Sequence, residues 1–223
     1  EKNGKQEYVI DIYSIPATLG GKLKHNTYNS LAAIGACYVL GVPLININKA
    51  MRTFSCKPDM NAGRFNIYEL GQVKVVMDYG HNYEGYKVTI DGLRALSPAG
   101  LIGVIGVPGD RRNEDIYEVG RLAGSAFDRL VIKEDRDRRD RKPLEVASLL
   151  MEGALAGGIK NEDALVIPEE DKALQYALQY AHPGDVIAVF FEKMEPLVNI
   201  INCYSRLANA NQVSEVNRSS GIR

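Results

Sequence analysis

Cysteine is scarce. Cys37, Cys56 and Cys203 are the only three, odd in number and widely spaced. They form no C-x-x-C pair, so neither a disulfide framework nor a zinc site is suggested, and a reducing, cytoplasmic setting fits. An excess of charge is also missing. Twenty-seven basic residues face 28 acidic ones, for a net charge of -1. A general nucleic-acid binder would show a basic excess, so that class is disfavoured. An anionic ligand would have to be met by local clusters of Arg or Lys. No apolar run approaches the roughly 20 residues that span a bilayer, and no signal peptide opens the chain. Neither a nucleic acid nor a membrane is therefore expected as a partner. Internal repeats and low-complexity segments are absent too. The chain begins abruptly and polar, Glu1 to Gln6, as a piece of a larger protein would.

What remains is ordinary for a globular protein: 45% apolar and 25% charged residues. The 223 residues are near the upper end for one domain and enough for two smaller ones. The central stretch is Val73 to Gly85. It starts as an apolar, β-branched run, which reads as a buried strand, and ends in Asp78, Tyr79, Gly80, His81 and Asn82. Ligands in open α/β sheets sit at the carboxyl ends of strands. A carboxylate, an imidazole and an amide there can grip a sugar, a phosphate and a metal-bound water. The plainer alternative is that Asp78 and Asn82 cap the following helix.

Before that stretch, Tyr8 to Ile12 alternates as a strand would. The run Leu31 to Leu40 reads as a helix, ended by Gly41 and Pro43. Asn26 is its expected N-cap, with Asn29 on the first turn. His25, Asn26 and Asn29 thus cluster at a helix N-terminus, suited to an anion or a polar heterocycle, or to capping alone. A second helix is expected over Ile47, Ala50, Met51 and Phe54, and a linker over Lys57 to Gly63.

From Phe65 onward strands and helices alternate. Strands are expected at 65–70, 73–78, 101–107, 129–132, 164–167 and 186–191, with helices between them and a last helix at 196–207. That rhythm predicts a doubly wound α/β domain. Asn113 or Asp115 is the expected cap of the helix after the 101–107 strand. Arg111 and Arg112, at that strand's end, make an anion clamp or a solvated loop. Lys133 to Lys142 is a dense mixed-charge run placed to read a charged substrate, though such runs are more often solvated. Residues from Ala208 onward are expected to fray.

Several clusters occur together: His25-Asn26-x-x-Asn29, Gly63-Arg64-Phe65-Asn66, Asp78-Tyr79-Gly80-His81-Asn82, Gly106 to Asn113, the charged run after Ile132, and Phe191 to Pro196. In this order the chain resembles the Mur-type ATP-dependent amide ligases, most strongly the cyanophycin-synthetase branch. The resemblance implies that 1–58 is the end of a central ATPase domain, 59–207 a Rossmann-like carboxyl-terminal domain and 208–223 a polar tail. It implies an amide ligase that activates a carboxylate with ATP as an acyl phosphate, which an amine then displaces. ATP and Mg2+ are the implied cofactors, with the magnesium ligands mostly upstream. Arginine and an aspartate-containing acceptor polymer are the implied substrates, and the full-length protein would be a homo-oligomer.

The resemblance also implies roles. Asn26 and Asn29 would lie at the adenine. Asp78 would hold the ribose, with Tyr79 and Asn82 beside it. Arg64 and His81 would lie toward the phosphates, His81 as the catalytic group. Asp110, Arg111 and Arg112 would hold the amino acid or its carboxylate. Glu134, Asp135 and Asp137 would attract a guanidinium, with Arg139 in the same run. Two departures stand out. No G-x-x-x-x-G-K-[ST] phosphate loop occurs, so this piece alone is expected to be inactive. Asp140 stands between Arg139 and Arg141, where a small residue is expected. The rivals are another Mur-type ligase, of the UDP-MurNAc-peptide or folylpolyglutamate type, and a non-catalytic or oxidoreductase dinucleotide-binding domain. Gly103, Gly106 and Gly109 do not form G-x-G-x-x-G, which counts against the last.

Overall fold

The computed structural model describes residues 6–219, with side chains up to residue 206. The chain divides into two compact units, Glu1–Ala62 and Gly63–Arg223.

The first unit is built from α1 (Lys24–Val39) and α2 (Leu44–Thr53), preceded by two short 3-10 turns. The expected strand at 8–12 is not there. Ile12–Ser14 is a 3-10 turn instead, and Asp11 accepts a hydrogen bond from the Tyr13 amide at 2.9 Å. An Asp side chain offers the backbone this local partner in competition with a sheet ladder. α1 also starts earlier than expected. Leu23 holds the N-cap position and Asn26 lies within the first turn. Only Ser30 of α1 is buried, while Leu31, Val39 and Leu40 are exposed.

The second unit is a six-stranded sheet in the order β1-β2-β6-β3-β4-β5. The strands are β1 (Asn66–Leu70), β2 (Val73–Asp78), β3 (Leu101–Ile105), β4 (Arg129–Ile132), β5 (Ala164–Val166) and β6 (Val186–Phe190). β1 pairs antiparallel with β2; the other pairings are parallel. The helices are α3 (Tyr83–Arg94), α4 (Asn113–Gly124), α5 (Glu145–Ala156), α6 (Glu170–Tyr180) and α7 (Met194–Ser219). α7 runs on past Leu207, through the stretch expected to fray. β3 is buried at every position, as a parallel strand covered on both faces must be.

The chain steps from β2 through β3 and β4 to β5 in one direction, then returns to lay β6 between β2 and β3. Right-handed crossovers therefore put α3, α4 and α5 on one face and α6 on the other, where α7 packs beside α6. Val75, Met77, Val104 and Val189 pack with Leu174, Ala177, Leu197 and Ile201 on the second face. The change of direction makes the carboxyl ends around β6 the topological switch point, the place where such sheets bind ligands.

On the first face, α4 and α5 approach with almost no side chain between them. A Cβ on Gly120 would overlap the Leu150 carbonyl, and one on Gly124 the Ala154 carbonyl. Reciprocally, a Cβ on Gly153 would overlap the Tyr117 carbonyl, and one on Gly157 the Arg121 carbonyl. Four glycines at i, i+4 spacing thus let two backbones touch. Because α4 follows the β3 loop and α5 follows the β4 loop, this close pair brings the two loops together.

Candidate functional site

β2 ends in Asp78, which is buried. Its Oδ2 accepts from the Phe65 amide at 2.9 Å and its Oδ1 from the Gly80 amide at 2.8 Å. Burial raises the carboxyl above the ordinary aspartate range, against the pull of those two amides, Arg64 and Thr89. Asp78 thereby ties the Gly63–Phe65 turn to the end of β2. Phe65 itself holds a left-handed φ of 52°. Gly63 packs so tightly on Phe191 that a Cβ would come within 2.7 Å of the ring.

The next residues rise from this base. The Tyr79 ring sits 5.3 Å from His81 and 5.7 Å from Phe191, with the Arg64 guanidinium 5.6 Å from its centroid. His81 Nδ1 lies 3.1 Å from the Tyr79 carbonyl oxygen. A carbonyl only accepts, so this contact assigns the proton of the neutral ring to Nδ1 and leaves Nε2 as an acceptor. Asn82 caps α3 by accepting from the Gly85 amide at 2.9 Å. The capping alternative therefore describes Asn82, while Asp78 serves the turn before the strand.

Behind β3, Gly106 is held by its neighbours. The Tyr86 hydroxyl donates to its carbonyl at 2.8 Å and accepts from its amide at 3.1 Å, while the Tyr86 ring stacks on Phe190 at 3.7 Å. A cavity of 290 Å³ opens beside it. Val107, Ile116 and Val119 give it an apolar floor; His81, Asn82, Glu84, Arg111 and Asp115 give it a polar rim. The structure thus brings His81 and Arg111, predicted from separate motifs, to one cavity.

The arginine pair divides. Arg111 turns to the cavity, and its Nε is buried with no hydrogen-bond partner among the described residues; the Asp110 carboxylate lies 3.8 Å away. Arg112 occupies the N-cap position of α4, expected for Asn113 or Asp115, and grips Asp115 through two bonds of 2.9 and 2.8 Å. That grip holds the Asp115 carboxyl below the usual range.

In the β4 loop, Glu134 is buried. It accepts from the Leu144 and Ala147 amides at 2.9 and 3.5 Å, so it serves the N-terminus of α5. Asp135 pairs with Lys133 at 2.5 Å, and Lys133 also reaches Glu170 at 3.0 Å. Lys133 is 1% exposed and fills the space left by the missing side chain of Gly106. Glu170 in turn accepts from the Glu192 and Lys193 amides after β6, at 2.6 and 3.2 Å. Arg139 is exposed and pairs with Asp137 at 3.0 Å. Arg139 and Asp140 both hold left-handed φ angles, 50° and 65°. Glycine is unstrained in this conformation and aspartate is one of the few other residues that visit it, so Asp140 stands in place of the expected small residue at modest cost.

Sequence reasoning missed Lys133, Glu170 and Arg141. The first two sit among other charged residues along the chain, and only the fold pairs them. Arg141 looked like one cation among many. Its guanidinium makes four bonds, and with the Lys142 amide it holds the Glu145 carboxyl below the usual range.

The first unit has its own cavity of 390 Å³, lined by Asn26, Asn29, Ser30, Met51, Phe54 and Asn61. Asn26 donates from Nδ2 to the Ala17 carbonyl at 2.8 Å and to Cys56 Sγ at 3.2 Å. Amides beside a thioether and an aromatic ring suit a flat polar heterocycle. Among the described residues no group of three His, Cys, Asp or Glu is placed to hold a metal ion. No described helix is long and apolar enough to cross a membrane.

Residues 63–190 match the family described as Mur ligase, glutamate ligase domain. Cyanophycin synthetase of Crocosphaera subtropica is 34% identical over 194 residues, covering 87% of this chain and 22% of that protein. The UDP-N-acetylmuramoyl-L-alanyl-D-glutamate--2,6-diaminopimelate ligase of Clostridium botulinum is 30% identical over 170 residues, covering 74% of this chain and 33% of that protein. The chain thus spans between a fifth and a third of these relatives. Among solved structures, MurF from Acinetobacter baumannii superposes with a TM-score of 0.58 over 79% of this chain and 37% of that one, at 19% identity, a likeness of fold.

Proposed function

Because this chain belongs to the Mur ligase family through its glutamate ligase domain, we propose that it is the carboxyl-terminal part of an ATP-dependent amide ligase of the cyanophycin-synthetase type. The observation that carries the reading is the 34% identity to a cyanophycin synthetase across 87% of the chain, together with the gathering of His81 and Arg111 at one cavity beside the switch point.

On this reading ATP, as substrate, supplies the phosphate that turns an acceptor carboxylate into an acyl phosphate. The amine of arginine then attacks, and phosphate leaves. The chain's own residues bind and orient. Asn26 and Asn29 would receive the adenine in the amide-lined cavity of the first unit. Asp78 would meet the ribose with the lone pair left by its bonds to Phe65, Gly80 and Thr89. Tyr79, Asn82 and Arg64 stand beside it. His81 would present Nε2 toward the phosphates, as an acceptor when neutral and a donor when protonated. Arg111 and Arg112 would hold the carboxylate of the amino acid, which suits the fork of a guanidinium, and Asp110 would help hold the rest of that substrate. Asp137, exposed in the β4 loop beside Arg139, would face the cationic end of the amino acid, whereas Glu134 and Asp135 are already engaged by α5 and by Lys133. Magnesium is required by this chemistry. Its ligands would lie mostly in the upstream part of the ligase.

The test is phosphate release from ATP by the full-length protein with an aspartate polymer and a panel of amino acids. Release that depends on arginine supports the proposal. Release that depends instead on diaminopimelate or glutamate, with their own acceptors, points to a peptidoglycan- or folate-type ligase. The C. botulinum relative keeps that second reading open. The isolated 223-residue chain, which has no phosphate loop, should hydrolyse no ATP.

A further inference from the structure

Arg141 leaves the β4 loop and crosses to the β3 loop. Its Nε donates to the Gly109 carbonyl at 2.7 Å, and its Nη2 to the Arg111 carbonyl at 2.6 Å. Its Nη1 donates to Asn113 Oδ1 and to Glu145 Oε1, each at 2.8 Å. The side chain is 14% exposed. One planar group thus holds three points on the 109–113 segment and anchors itself to the first turn of α5. Gly109 adds to the clamp from the other side: a Cβ there would overlap the Arg138 carbonyl. The 109–113 segment has few bonds of its own. The Arg111 amide reaches the Pro108 carbonyl only at 3.4 Å, and Asp110, Arg112 and Asn113 are exposed. Its carboxyl end is tied to α4 by Arg112, through Asp115 and the Ile116 amide; across to the β4 loop it is tied by Arg141.

We infer that Arg141 is a positioning residue: by fixing the backbone at Gly109, Arg111 and Asn113, it keeps the Arg111 side chain at the cavity where the substrate carboxylate is to be held. The substrate half of this inference rests on the ligase reading above; the fastening of the loop does not. A Lys at 141 keeps the charge and reach but has one nitrogen where the guanidinium has three, so it cannot make the bonds to Gly109, Arg111 and Asn113 together.

The test uses Arg141→Lys and Arg141→Ala in the full-length protein. Hydrogen exchange of the 112–119 peptide, whose first helical amide, Ile116, bonds to the Arg112 carbonyl at 3.1 Å, should speed up about tenfold or more as the start of α4 loosens with the loop, the effect of losing one or two net hydrogen bonds, while peptides from β3 and β4 stay as protected as before. The amino-acid KM should rise about tenfold, with kcat and the ATP KM within about twofold of wild type, since this is a binding contact shared by ground and transition states. Unchanged exchange of 112–119 in both variants would overturn the fastening. Normal exchange behaviour of the Lys variant alone would show that charge suffices and would overturn the fork. A fall of kcat with both KM values unchanged, or an equal rise of both KM values, would reduce Arg141 to a general fold element and overturn the positioning role. Were the wild type to release no phosphate with any amino acid, the ligase reading would fall, and exchange would still decide the fastening.

Discussion

Replacing Gly120 with Ala should destabilise the second unit, although Ala is the better helix former. In an open helix the change would gain about 1 kcal/mol. Here the new methyl would overlap the Leu150 carbonyl and lie 3.0 Å from the Leu150 carbonyl carbon and Cα. These are backbone atoms of α5, so no rotamer can relieve the contact and the helices must part. Overpacking of this kind costs about 1–3 kcal/mol, and the rigid partner places it at the upper end. The propensity gain offsets part, leaving a net loss of about 2 kcal/mol. For a unit of this size that lowers Tm by roughly 4–8 °C. Urea denaturation of the full-length protein and of the variant should show a lower midpoint with an unchanged slope. Gly153→Ala should cost less in the Gly120→Ala background than alone, because the helices have already moved apart. A midpoint at or above wild type for Gly120→Ala would refute the claim that backbone contact sets the spacing of α4 and α5.

Other outcomes follow from the loops. Lys133→Met leaves the Asp135 and Glu170 carboxylates without their shared cation, and breaking a buried pair this way should cost about 3–5 kcal/mol by denaturation; a loss under about 1 kcal/mol would refute it. Leu144 holds a φ of 65° at the start of α5 and is exposed, so Leu144→Gly should stabilise by about 1 kcal/mol, and a loss of stability would show that its side chain matters more than its backbone strain. Asp78 carries a carboxyl raised by burial, so the folded chain holds its proton more tightly than the unfolded chain does. Its contribution to stability is fully present below the ordinary aspartate value of about 3.9 and is lost as pH rises through the folded value. Asp78→Asn should therefore flatten the pH dependence of stability above about pH 4, measured by urea titration at several pH values; an unaltered slope would refute this.

Much of the architecture was legible locally. The runs at Val73, Leu101, Arg129 and Val186 are apolar and bounded by Gly, Pro or charge, and each became a strand. A strand buried on both faces has no other composition open to it. The residues at the ends of β2 and β3 were readable as candidates because sheets of this kind bind where strands end. Tyr8 to Ile12 misled because alternation is necessary for a strand but does not supply a neighbour. Among the described residues no strand lies beside it, and Asp11 closes a local turn instead.

Sequence alone, then, determined the periodicities, the class of sheet and the motif cluster, because these depend on near neighbours along the chain. The tertiary structure decided which charges are spent internally. Glu134 and Asp135 looked like free carboxylates and are bound to α5 and to Lys133. Arg141 looked like surface charge and became the tie between two loops. That tie needs α4 and α5 in backbone contact, which rests on glycines 33 residues apart, Gly120 and Gly153. Which groups meet across such a distance follows from close packing of the whole unit, and no local pattern encodes it.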